Sequence, residues 1–217
     1  MEGTPGTILV LPGGGYQRRS PHEAEPVAEW LESLGWDARV VPYPVGVRHP
    51  EPLDFMRREV AAERAAGAAR VGVLGFSAGG HLAGHVTLAA ECTAEERPDF
   101  AILAYPVVSF VALAHAGSRS ILLGDPSEAD AAAVSLESLV RPGSPPIFAW
   151  HTDADAVVPP QHSYRLGAAL ADAGVPHEVH VFPGDVHGIG LAEGTDAAPW
   201  TTLAAAWLAR RASARTA

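Results

Sequence analysis

Lysine is absent from this chain of 217 residues: all 15 basic side chains are arginine, set against 25 acidic ones. The arginines form no stripe along any segment, and a net charge of −10 removes the electrostatic footprint of a nucleic-acid or anionic-membrane binder. Cysteine is nearly absent as well. Cys92 alone can close no internal disulfide and build no zinc ribbon, and its place near the end of an apolar helical stretch reads as a small buried residue rather than a reactive thiol. Charged residues make up only 18% of the chain, below the share of about 25% usual in soluble domains, which argues against disorder. Long apolar runs are missing too, and none approaches the roughly 20 residues of a membrane span. The segment Met1–Gly6 has no basic n-region and Ile8–Leu11 is too short for an h-region, so the expected compartment is the cytoplasm.

What the chain does have is 47% hydrophobic content, enough for a substantial core, arranged as apolar runs alternating with helical patterns. The strand candidates are Thr7–Leu11, Ala38–Pro42, Val71–Gly75, Phe100–Tyr105, Pro146–His151 and His177–Phe182. Between and after them, Glu23–Leu34, Leu53–Ala66, Gly79–Ala90, Gln161–Ala173 and Ala198–Arg211 carry helical patterns. Ser109–Gly143 is the least regular stretch, with one short helix expected near Ala129–Leu139 and loops facing a site. Beyond an Ala/Arg-rich final stretch there is no low-complexity segment and no repeat. The expectation is a single α/β domain over residues 1–217, with a mostly parallel sheet and helices on both faces.

Four segments carry chemistry. Gly75-Phe76-Ser77-Ala78-Gly79-Gly80 follows the apolar run Val71–Leu74, and a strand that turns into a helix through Gly-x-Ser-x-Gly holds its serine on a strained turn with the hydroxyl projecting. Alone the pattern is weak, because a Gly-rich chain can produce it by chance. A serine hydroxyl needs a base, and the base needs an orienting group. In an open parallel sheet both must come from loops at the carboxyl ends of strands. Asp155 follows the fifth expected strand and His187 the sixth, while Leu11-Pro12-Gly13-Gly14-Gly15-Tyr16 ends the first strand in a loop able to aim backbone N–H groups at an oxyanion. The order Ser…Asp…His is that of α/β-hydrolases.

On Pro12–Tyr16, Pro50–Asp54, Gly75–Ala83, Asp155–Pro159 and His187–Ala192 the chain resembles the α/β-hydrolase superfamily. More narrowly it is similar to the small lidless carboxylesterases that include acetyl xylan and feruloyl esterase-like proteins, related to the hormone-sensitive-lipase group. The resemblance implies Ser77 as nucleophile, His187 as general base and then acid, and Asp155 as the group orienting the imidazole. It implies an oxyanion hole from the amides of Ala78, Gly14 and Gly15, leaving open which glycine of the loop donates. Pro12 stands where the hormone-sensitive-lipase pattern has His. The superfamily's usual N-terminal strand pair is missing, so a reduced six-stranded sheet without a large lid is expected.

Other readings compete at several positions. His177 and His180 fall inside the last strand and read as packing or surface residues. Asp153 and Asp185 rival Asp155, Asp153 as a turn residue that bonds its own backbone. His81 and His85 have metal-binding spacing but lack an evident third ligand, so no metal and no cofactor is expected. His151 reads as structural, and Trp36, Trp150 and Trp200 as packing aromatics. Tyr16, Arg18 and Arg19 are candidates for lining the acyl or alcohol pocket, with a solvated loop as the equal alternative. The expected partner is a small-molecule ester, hydrolysed through an acyl-enzyme, with short acyl groups and acetyl foremost. Amide or peptide hydrolysis on the same three residues is the alternative, and a non-catalytic binding module the weaker one. The sequence leaves the oligomeric state and the identity of the alcohol open.

Overall fold

The computed structural model describes residues 4–213; Met1–Gly3 and the last four residues of the Ala/Arg-rich stretch lie outside the described residues. The strands are β1 (Thr7–Leu11), β2 (Asp37–Val40), β3 (Val71–Phe76), β4 (Phe100–Ala104), β5 (Ile147–Thr152) and β6 (His177–Phe182). Among the described residues they form one sheet in the order β2-β1-β3-β4-β5-β6, every neighbouring pair parallel. All six expected strands are present, with small shifts at their ends. β1, β3, β4 and β5 are buried along their whole length, whereas the edge strands β2 and β6 are partly exposed. A strand covered on both faces reads as a continuous apolar run, which is why the inner four were conspicuous in the sequence.

Helices cover both faces. Ile8, Leu74, Ile102 and Phe148 face a layer built from α1 (Glu25–Ser33) and α8 (Trp200–Ser213). Their alternate neighbours Leu9, Val73, Leu103 and Ala149 face α2 (Glu51–Ala65), α3 (Ser77–Leu88) and α7 (Gln161–Asp172). The period of two along each strand divides the core into these two layers. Trp150 stacks on Trp200 at 5.1 Å and Trp36 meets Phe100 edge-on at 5.5 Å, so these aromatics are packing residues. Cys92 is buried, and burial pushes its thiol up to about 11.

The stretch between β4 and β5 corrects one expectation. In place of one short helix it holds three: α4 (Ala116–Leu123), α5 (Glu128–Ala133) and α6 (Leu136–Leu139). Local capping starts the first two. The His115 ring accepts from the Ser118 amide at 3.2 Å, and Ser127 with Asp130 forms a reciprocal capping box. Elements this short are set by caps more than by apolar periodicity. Among the described residues no helix is long and apolar enough to cross a membrane.

Candidate active site

β3 passes into α3 with no intervening loop, and Ser77 at the junction has φ +52°. A left-handed conformation is uncommon for a residue with a side chain and persists only when its surroundings enforce it. Here the enforcement is close packing. A Cβ on Gly79 would lie 2.2 Å from the Leu11 carbonyl oxygen, and one on Gly75 would lie 2.3 Å from that of Gly79. The turn is therefore clamped between the end of β1 and its own helix, with its hydroxyl held above the sheet.

The structure brings the serine together with residues 110 and 78 positions away at other strand ends. His187 Nε2 is 2.8 Å from Ser77 Oγ, and His187 Nδ1 is 2.6 Å from Asp155 Oδ2. Asp155 Oδ1 accepts from the amides of Val157 and Val158 at 2.9 and 3.0 Å. Burial opposes ionisation of Asp155, but the His151 and His187 rings and the Val158 amide outweigh it and hold the carboxyl well below its usual range. An ionised Asp155 accepts a hydrogen bond from Nδ1–H, which holds the proton on that nitrogen and leaves Nε2 free to accept from the serine hydroxyl. Asp153, its rival, is an exposed turn residue that accepts from the Gly184 amide at 3.0 Å. His151 is more than a packing residue, since its Nε2 lies 3.5 Å from Asp155 Oδ2.

The Gly-rich loop after β1 lies opposite. Gly14 and Gly15 line a cavity of about 550 Å³ together with Ser77 and His187. The Gly13 amide is already committed, donating to Glu23 Oε2 at 2.7 Å. The Ala78 amide sits in the first turn of α3, where N–H groups have no intrahelical acceptor and the helix dipole favours negative charge.

The pocket candidates separate. Arg18 lines the cavity. Tyr16 does not: with φ +62° it turns inward, is buried, and its hydroxyl lies 2.7 Å from His81 Nδ1. Arg19 is also diverted, its guanidinium donating to the Tyr43 carbonyl at 2.5 Å. His81 Nε2 donates to the Val134 carbonyl at 2.8 Å, so both ring nitrogens are engaged. Among the described residues no cluster of three or more His, Cys, Asp or Glu side chains is arranged to hold a metal ion. His177 and His180 lie on the edge strand β6, the latter 3.0 Å from Glu178 Oε2.

Among the cavity residues that the sequence reading did not single out are His22, Glu23 and His115. His22 Nε2 is 2.8 Å from the Gly188 carbonyl oxygen, donating to the loop that carries His187. His115 is half-buried; burial first, then the neighbouring His187, lowers its affinity for a proton. Its only signal was its place in the irregular stretch Ser109–Gly143, whose loops were expected to face a site.

A parallel sheet between two helical layers, with a serine on a strand-to-helix turn and Asp and His following on later strands, is the α/β-hydrolase fold. The chain belongs to the prolyl oligopeptidase family, whose profile matches residues 53–215. It is 31% identical to endo-1,4-beta-xylanase B of Butyrivibrio fibrisolvens over 215 residues, 89% of this chain and 34% of that protein. It is also 31% identical to an acetylxylan esterase of Xylanibacter ruminicola over 198 residues, 85% of this chain and 41% of that protein. The chain thus spans about a third and about two fifths of the length of these two relatives. The crystal structure of an acetyl ester-xyloside bifunctional hydrolase from Caldicellulosiruptor lactoaceticus superposes with a TM-score of 0.90 at 38% identity, covering 97% of this chain and 84% of that one. These likenesses bear out the resemblance to acetyl xylan esterase-like proteins.

Proposed function

We propose that the chain is a serine esterase for short acyl groups, acting through a covalent acyl-enzyme on Ser77. The observation that carries this reading is the continuous path from Ser77 Oγ through both His187 nitrogens to Asp155, at 2.8 and 2.6 Å. In the first half-reaction Ser77 Oγ attacks the ester carbonyl while His187 Nε2 takes its proton, and the imidazolium is stabilised by Asp155. The carbonyl oxygen becomes an oxyanion held by the Ala78 amide and the Gly14–Gly15 loop. The alcohol then leaves with the proton from His187, and water repeats the sequence on the acyl-enzyme. No cofactor enters any step.

The cavity walls support small acyl groups. Val157 is the one aliphatic side chain among the described lining residues; the rest are glycines and polar or charged groups such as Gln17, Arg18 and His115. A long alkyl chain would find little apolar surface there, while an acetyl group needs little and a hydroxyl-rich alcohol would meet hydrogen-bonding partners. Similarity to an acetylxylan esterase and to an acetyl ester-xyloside hydrolase points the same way, toward acetylated carbohydrate. The match to the prolyl oligopeptidase family favours a second reading, amide hydrolysis by the same three residues.

Both readings meet one experiment. Ser77 should be labelled covalently by a fluorophosphonate, and label and turnover should vanish together in Ser77→Ala. Turnover of p-nitrophenyl esters should fall steeply from acetate to octanoate and exceed that of the matching anilides. Equal rates across the ester series would remove the short-acyl assignment, and faster anilide cleavage would replace the esterase by an amidase.

A further inference from the structure

Glu23 ends a short 3-10 turn at Pro21–Glu23, only 2% exposed, in a place where a charged side chain is rarely found without a task. Its two oxygens hold different parts of the site. Oε2 accepts from the Gly13 amide at 2.7 Å, and Oε1 accepts from the Tyr105 hydroxyl at 2.6 Å. The Tyr105 oxygen in turn accepts from the Gly190 amide at 2.8 Å. Tyr105 follows β4 in a left-handed conformation, φ +36°, and its ring meets the His187 ring edge-on at 5.0 Å. One carboxylate therefore ties the Gly-rich loop after β1, the end of β4 and the loop that follows β6.

The contact with Gly13 is tight. A Cβ on Gly13 would lie 2.9 Å from Glu23 Oε2 and 3.1 Å from Ser77 Cβ, so the glycine is wedged between the carboxylate and the serine. With its amide committed to Glu23, Gly13 cannot serve an oxyanion, and the chain turns so that Gly14 and Gly15 face the cavity. Burial of a carboxylate is unfavourable unless donors surround it, and removing it leaves the Gly13 amide and Tyr105 hydroxyl unsatisfied.

We infer that Glu23 is a positioning residue that sets the height of the Gly14–Gly15 amides over Ser77 and, through Tyr105 and Gly190, the placement of His187. The inference rests on the esterase reading of Ser77. It assigns Glu23 no contact with substrate: its effect passes through the Gly13 amide and Tyr105. Because the oxyanion exists only along the reaction path, a displaced loop should weaken the transition state while leaving ester binding nearly intact.

The test compares wild type, Glu23→Gln and Tyr105→Phe for kcat and KM on p-nitrophenyl acetate, inhibition by an aryl trifluoromethyl ketone, and melting temperature. The ketone forms a tetrahedral adduct on serine and so reports the oxyanion site separately from substrate binding. Glu23→Gln keeps the shape of the side chain but offers one acceptor in place of two. Its kcat should fall about 10- to 100-fold while KM changes less than about threefold. Ketone affinity should fall by the same factor as kcat/KM, with Tyr105→Phe moving in the same direction by a smaller amount. A merely structural role would lower the melting temperature and the active fraction without that matched loss. Wild-type kcat and ketone affinity in both variants, or a loss confined to KM, overturns the assignment of Glu23. Should the Gln variant fail to fold, Tyr105→Phe decides on the same criteria. A wild type that turns over no ester and resists fluorophosphonate overturns the esterase reading as well, and is thereby distinguished.

Discussion

The Nε2 atom of His151 stands 3.5 Å from Oδ2 of Asp155, with both side chains fully buried. A second imidazole therefore backs the carboxylate that meets His187. His151 Nε2 also faces the Val158 carbonyl at 2.7 Å, and a carbonyl can only accept, so this nitrogen carries the proton. Nδ1 then accepts from the Ser163 hydroxyl at 2.8 Å. Asp155 is thus enclosed by donors: His187 ahead, two backbone amides on its other oxygen, and His151 behind.

Replacing His151 by Leu keeps the bulk but strands the Val158 carbonyl and the Ser163 hydroxyl. The expected loss is about 1–3 kcal/mol of stability for each buried group left unpaired, read as a lower urea midpoint. Asp155 should also gain freedom to turn, which lowers kcat by about tenfold or more through misalignment of His187. Unchanged kcat in a folded His151→Leu protein would show that the amides alone fix Asp155.

For Asp155→Asn the loss should be much larger. The Asn side chain can turn an NH2 donor toward Nδ1 where the carboxylate can only accept, and the imidazole then shifts toward the tautomer that cannot accept from Ser77. A fall in kcat of about 10⁴ is expected, with the fold retained. The carboxyl also binds protons more weakly in the folded state than its ordinary value of 3.8. Its ionised form therefore contributes stability above that pH, and the contribution is lost as pH falls toward the lower folded value. Urea titrations should show the variant weaker than wild type at pH 7, with the gap narrowing below about pH 4. A gap independent of pH would mean that Asp155 stabilises the fold by packing alone.

The parts of this site that could be read in the sequence are those tied to local pattern. Ser77 lies in a strand-to-helix turn, and Asp155 and His187 follow apolar runs that could only be inner or edge strands of a parallel sheet. Glu23 offered no such pattern. In the sequence it is one acid in Pro-His-Glu-Ala-Glu, and its burial depends on Gly13, Tyr105 and Gly190, the last two far along the chain. Tyr16 misled for the opposite reason. Adjacency to the Gly-rich loop suggested the pocket, but its positive φ sends the ring to Tyr43 and His81, 65 residues away. Helices α4–α6 were obscured because hydrogen-bonded caps, not an apolar stripe, begin α4 and α5.

Buried neutral histidines should make the protein acid-sensitive well above the carboxylate range. Burial lowers His81 and His162 from 6.5 to about 4. His162 Nδ1 accepts from the Val108 and Ser109 amides at 2.9 and 3.1 Å, a role that protonation removes. Between these values the unfolded chain binds protons that the folded chain refuses, so stability falls as pH drops from about 6.5 to 4, by up to about 3 kcal/mol for each group. Urea midpoints at pH 7, 5.5 and 4.5 should decline steadily, and His162→Gln, which keeps an acceptor without a titrating ring, should flatten the slope. Equal midpoints at pH 7 and 5 would contradict the assignment of these rings as neutral in the fold.

Gly79 gives the sharpest test of how the serine turn is held. A methyl group there would meet backbone oxygens, Leu11 at 2.2 Å and Pro12 at 2.5 Å, which cannot swing aside as a side chain can. Either the end of β1 must retreat, taking the Gly-rich loop with it, or α3 must move away and carry Ser77 from His187. Gly79→Ala should therefore destabilise by about 3 kcal/mol, the upper part of the range for overpacked cores, and should also abolish most ester turnover in the fraction that folds. Gly143 supplies the comparison. Its φ is +83° but nothing lies within 4 Å of its virtual Cβ, so Gly143→Ala meets only backbone strain, about 1–2 kcal/mol, and should leave kcat intact. If the two alanines were equally mild in melting temperature and turnover, contact with β1 could not be what holds Ser77 in its left-handed turn.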